Sequence, residues 1–134
     1  MSLPGPAEIG SFALIAGLTA LAYALAGWLS LKLSAYVADV VAAIWVAAGI
    51  GAMASLRFGA AGVLGVLLGS LAVNSLSLPL EDAARFALGA ATGAWIMGAL
   101  PRYLQPFSPT LDYVSSVAKF ALVAAPLGCA VSAL

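Results

Sequence analysis

Charge is what this chain most lacks. Of its 134 residues five are Lys or Arg and five are Asp or Glu, 7% in all. A soluble domain carries about 25%, so ten charged side chains cannot clothe a water-facing exterior of this size. The charges also balance, with a formal net of zero. No basic patch is left to neutralise a phosphate backbone, which excludes nucleic-acid binding. Histidine is absent, and with it go imidazole metal or haem ligation and His-based triad chemistry. The single cysteine, Cys129, has no partner for an internal disulfide. The sequence contains no HExxH, no GxSxG and no GxxxxGK[ST]. Its one pair of adjacent carboxylates, Glu81 and Asp82, sits beside Arg85 with no third acidic group. That arrangement suits solvated charges in a loop or at a helix start better than acid–base work. No enzyme activity, metal or cofactor is expected.

What the chain has is apolar surface. Hydrophobic residues make up 64% and the mean hydropathy is +1.13. The solvent that fits such a surface is lipid, so an integral membrane protein is expected. The opening MSLPGPAEIG lacks the basic region of a cleavable signal, and the first apolar run reads as an uncleaved spanning helix. A bilayer core of about 30 Å takes about 20 apolar residues of helix. Five segments qualify: 9–29, 36–56, 58–76, 83–100 and 114–134. The expected fold is all-α, a single polytopic membrane bundle of about five helices over residues 1–134.

The breaks between these segments are short. Residues 30–35 carry Lys32, Arg57 marks a very short turn, and 77–82 contains Pro79, Glu81 and Asp82. Residues 101–110 hold Pro101, Pro106 and Pro109, which donate no backbone hydrogen bonds, and read as an interfacial loop. Such connections make successive helices antiparallel. Trp28, Tyr36, Tyr103, Phe107 and Tyr113 fall at helix ends, where aromatic rings favour the membrane interface. Trp45 and Trp95 fall deeper, either as ordinary packing or as the wall of a ligand cavity. Pro126 should kink the fifth helix.

Small residues recur at helical spacing. Gly65 and Gly69 form one GxxxG, Gly89 and Gly93 another, and Ala16, Ala20 and Ala24 a stripe on the first helix. In lipid such residues let backbones approach, within the chain or across a homodimer. Two charges fall inside predicted spans, Asp39 and Lys119, where ionisable groups are costly and often functional. Asp39 and Arg85 both lie near the starts of helices that begin on one face, so a tethering ion pair between them is expected. Lys119 either snorkels to the headgroups or binds an anionic ligand. Asn74, near the end of the third helix, is placed to bond across helices. Alternating spans put Arg57, Arg102 and Lys119 on the N-terminal side and Lys32 and Arg85 on the other. The excess of basic residues favours a cytoplasmic N-terminus.

The run AAIWVAAGIGAMASLRFGAAGVLGVLLGSLAVN, residues 42–74, resembles a type-one membrane-associated sensor domain. That family stands N-terminal to diguanylate cyclases, phosphodiesterases and sensor histidine kinases in bacteria. The features that carry the resemblance are Trp45, the small-residue segment 48–50, the turn Arg57-Phe58-Gly59, and the Gly-rich helix with Gly65 and Gly69 that closes on Asn74. The later stretch ALGAATGAWIMGALPRYLQPF is similar to the family's following spans. Val46 and Ala47 depart from it, since proline commonly follows the Trp there. Family members typically have about eight spans and then a cytoplasmic effector, so this chain would form an incomplete version of that domain. The resemblance implies a membrane-embedded sensory or regulatory domain in the bacterial inner membrane. A ligand, lipid or partner membrane protein would repack its helices and bias an effector C-terminal to it. Trp45, Arg57 and Asn74 are the site candidates on this ground; Asp39, Arg85 and Lys119 are candidates on the cost of buried charge. Two other readings fit the helix count and small-residue faces: a substrate-binding membrane subunit of a small-molecule transporter, and a structural accessory subunit of a membrane complex.

Overall fold

The computed structural model describes residues 6–36 and 46–103 and the isolated positions 123, 126 and 127. Four helices make up the described chain: α1 (Pro6–Tyr36), α2 (Val46–Phe58), α3 (Ala60–Asn74) and α4 (Leu80–Tyr103). No strand occurs among the described residues. Ala, Leu and Met, all strong helix formers, dominate each helix. Pro6 opens α1, where its fixed φ suits a first helical position. Glu8 in the first turn of α1, and Glu81 and Asp82 in that of α4, place carboxylates at the positive ends of the helix dipoles.

α2 and α3 form a hairpin with a one-residue corner. Gly59 has φ 59° and ψ −125°, a backbone conformation that a Cβ disfavours. Its N–H donates to Ser55 O at 2.9 Å, and its carbonyl accepts from Val63 N–H at 3.1 Å. The last bond of one helix and the first of the next thus share a residue, and the chain reverses with little backbone left unpaired. The link from α3 to α4 is equally well bonded. Ser77 and Leu78 N–H groups both donate to Asn74 O, at 3.1 and 2.9 Å, and Ala83 N–H donates to Pro79 O at 3.0 Å.

Interhelix contacts fix the order of the bundle. Gly65 lies against Ala16 and Thr19, and Gly69 against Ala20 and Tyr23, so α1 and α3 run parallel. Gly62 meets Ala54, and Gly51 meets Val66, which makes α2 and α3 antiparallel. Gly98 of α4 presses on Ser55 of α2. α1 packs most extensively on α3 and α4 on both hairpin helices, whereas α1 and α4 barely meet. The hairpin is therefore the middle layer. One residue from each helix forms the core: Tyr23, Ala47, Val66 and Ala94.

Residue size is distributed inside out. The buried face of α1 is Ala16, Thr19, Tyr23, Gly27 and Ser30, one helical stripe of mostly small residues. Its outer faces carry Leu14, Leu18, Leu21, Leu25 and Leu29 in the open. Each such leucine would favour leaving water by roughly 2 kcal/mol. A helix apolar on all sides belongs in a protein interior or a membrane. The apolar window of α1 is only 17% buried and that of α4 39%.

Two helices are long and apolar enough to cross a membrane, α1 over Ala7–Leu33 and α4 over Leu80–Leu100. α2 and α3, at 13 and 15 residues, are shorter than the roughly 20 that a span requires. The expectation of about five spans is thus supported for two helices, and the segment 114–134 lies outside the described residues except at three positions. Several boundaries differ from the expected ones. α1 runs on to Tyr36 through the expected break at 30–35, because nothing in that stretch stops a helix and Lys32 rides over the Trp28 ring, 5.7 Å from its centre. α4 begins three residues early, directly after Pro79, and continues through Pro101 to Tyr103. A proline so near a helix end removes one hydrogen bond but keeps a helical φ.

Candidate functional site

A partly enclosed cavity of about 290 Å³ lies where all four helices approach one another. α2 and α4 contribute small walls, among them Gly51, Gly93 and Ala94, and Phe86 and Met97 close it with apolar bulk. Its polar groups come from Tyr23, Ser70 and Asn74. No charged side chain among the described residues lines it. The volume is at the lower end of the range for small-molecule sites. Such a lining suits a small, mainly apolar, uncharged molecule, since an ion brought there would lose hydration without a counter-charge.

Asn74 sets the polar end. Its Nδ2 donates to Ser70 O at 2.8 Å and to Ser70 Oγ at 3.2 Å. The side chain thus folds back on α3 by one turn, and the expected bond across helices is not made among the described residues. The cause is local: Ser70 lies four residues earlier, where the amide reaches it without leaving its own helix. Every fully buried side-chain nitrogen and oxygen among those residues is hydrogen-bonded.

The other sequence candidates are dispersed. Arg57 is exposed in the last turn of α2, at the Gly59 end of the hairpin and about 22 Å of helix from Asn74. Arg85 is exposed on α4 and lies 3.6 Å from Asp82 Oδ1. Its expected partner Asp39 lies outside the described residues, as do Trp45 and Lys119. Trp95 is 57% exposed on the outer face of α4, so among the described residues it is neither core nor cavity wall. Gly93 lines the cavity, and Gly89 is half-buried nearby on α4. Gly65 and Gly69 sit against α1 instead: a Cβ on Gly65 would come 2.5 Å from Thr19 Cβ and 2.7 Å from Ala16 O, and one on Gly69 2.6 Å from Ala20 O.

Tyr23, Ser70 and Gly51 are the site residues that sequence reasoning missed. Ser70 and Asn74 carried a usable signal, two polar residues one turn apart on an otherwise apolar helix. Tyr23 carried one as well, an aromatic with a polar tip in mid-span. Gly51 and Gly98 carried none, because their importance depends on what stands opposite. No protein-family model matches the chain, and neither a curated protein nor a solved structure shows significant similarity to it.

Proposed function

We propose that this chain is a membrane-embedded sensory or regulatory domain. In this reading it is a multi-pass bundle of the bacterial cytoplasmic membrane with its N-terminus inside. It responds to occupancy of the central cavity by a small neutral ligand or lipid, or to a partner membrane protein. The observation that carries the reading is the cavity at which all four helices converge. A molecule seated between Asn74 and Met97 would touch α3 and α4 at once and alter their separation from α2. Helices in backbone contact at Gly62, Gly65 and Gly98 cannot compress further, so they respond by changing packing as units. The ligand must hold the two packings unequally, or nothing shifts. The resemblance of residues 42–74 to type-one membrane-associated sensor domains supports the same role, with a soluble effector as the element being biased.

The deciding experiment is the intact mass of the native polypeptide extracted from its own membrane. The sensory reading expects a mass far above the 13.3 kDa of this chain, from a polypeptide continuing into a soluble signalling domain. A native mass of 13.3 kDa would overturn it as a sensor acting within one chain. The uncharged cavity also favours a second reading, a substrate-binding subunit of a small-molecule transporter, which predicts saturable uptake into proteoliposomes.

A further inference from the structure

A second cleft, of about 320 Å³, opens between the C-terminal ends of α1 and α3. Leu31, Leu76 and the buried Val73 line it with apolar surface, and Trp28, Lys32 and Ser77 line it as well. The Lys32 ammonium stands 5.7 Å from the centre of the Trp28 ring, a cation–π distance that holds the long side chain beside the cleft. Lys32 forms no ion pair with any described residue. The other described cation at this end, Arg85, is beside Asp82.

We propose that this cleft binds an anionic phospholipid. One acyl chain lies along Leu31 and Leu76, and the phosphate sits between the Lys32 ammonium and the Ser77 hydroxyl. Charge and polarity select this occupant together. The ammonium calls for an anion, yet the walls behind it offer a free anion nothing but hydrocarbon. An amphiphile with a negative head and an apolar tail satisfies both. The position agrees, since the cleft lies where α1 completes its apolar window at Leu33, and a Trp–Lys pair there marks the headgroup level. A lipid so placed would clamp the ends of the parallel helices α1 and α3. The inference rests on the bilayer reading of the bundle but not on a sensory role.

The test uses the full chain in nanodiscs made from equal amounts of phosphatidylglycerol and phosphatidylcholine, with retained lipids counted by native mass spectrometry. The wild-type chain should retain phosphatidylglycerol about fivefold over phosphatidylcholine, the factor one lysine contributes at an anionic surface. Lys32→Gln should lose that preference, Lys32→Arg should keep it, and Arg57→Gln, at the opposite end, should leave it unchanged. Equal retention of both lipids by the wild type, or an unaltered preference in Lys32→Gln, overturns the proposal while leaving the bilayer reading intact. A chain that fails to enter nanodiscs of either lipid overturns both.

Discussion

Close approach of helices is decided here at single atoms. Gly65 and Gly69 lack the atoms that would otherwise hold α3 away from α1, and Gly17 and Gly49, equally helical, face nothing within 4 Å among the described residues. This makes an internal comparison. Gly65→Ala should destabilise the bundle by about 1–3 kcal/mol, because its methyl meets Thr19 and the α1 backbone and cannot be absorbed by rotation. Gly17→Ala and Gly49→Ala should be neutral or stabilise by up to about 1 kcal/mol, the helix-propensity difference. Unfolding in detergent by graded SDS addition, followed by circular dichroism, reads all three; equal effects would dismiss the packing argument. The Asp82–Arg85 pair is the contrary case. It is an i,i+3 contact at 3.6 Å with the arginine side chain 79% exposed, so Arg85→Gln should change stability by less than about 0.5 kcal/mol in the same assay. The GxxxG at Gly65 and Gly69 was legible in the sequence as a spacing. Opposite them Ala16 and Ala20 were legible as part of a small-residue stripe, but their pairing with α3 was not, and Gly62, which presses on Ala54, belongs to no such spacing.

At the level of elements, the hairpin holds the bundle together, and its corner depends on one residue. Gly59 closes α2 and opens α3 with bonds to Ser55 and Val63, at a φ and ψ suited to glycine. Gly59→Ala should cost about 1–3 kcal/mol in backbone strain and should loosen α2 against α3 before it affects α1. Hydrogen–deuterium exchange resolved by peptide checks this: faster exchange confined to 52–66 is expected, and uniform protection equal to wild type would refute the strain. This corner was foreseeable, because Arg57-Phe58-Gly59 interrupts an apolar run with the residue types a turn needs. The end of α1 was not. Lys32 suggests a break, yet a lysine within a helix covers apolar neighbours with its stem while its ammonium reaches out, and no glycine or proline falls between it and Tyr36 to end the helix. The start of α4 falls three residues before the expected one because Glu81 and Asp82, which fit a loop or a helix start equally by sequence, occupy the first helical turn, where the dipole favours them. The cavity was legible only in single residues such as Asn74 and Gly93, since its shape needs Tyr23, Gly51, Ser70 and Gly93 brought together from four helices.

For the whole molecule the question is whether such an inside-out bundle, with two helices long and apolar enough to cross a membrane, places its ends on opposite sides of one. The contacts give the ends without reference to any membrane. α1 and α3 run one way and α2 and α4 the other, so Lys32, Ser77 and Glu81 gather at one end, and Glu8 and Arg57 at the opposite end. The 27 residues of α1 from Ala7 to Leu33 cover about 40 Å, more than the roughly 30 Å of a hydrocarbon core. The two ends should therefore lie in different aqueous compartments. Cysteines introduced singly at Glu8, Arg57, Ser77 and Glu81, in a Cys129→Ala background, test this with a membrane-impermeant maleimide on intact cells. A cytoplasmic N-terminus requires labelling of Ser77→Cys and Glu81→Cys at once, and of Glu8→Cys and Arg57→Cys only after permeabilisation. The inverse pattern would keep the spanning bundle and reverse its orientation, an outcome that five basic residues, split three to two, resist only weakly. Four sites behaving alike would mean that both ends share a compartment. The apolar exterior of α1 and α4 would then have to be covered by protein instead of lipid.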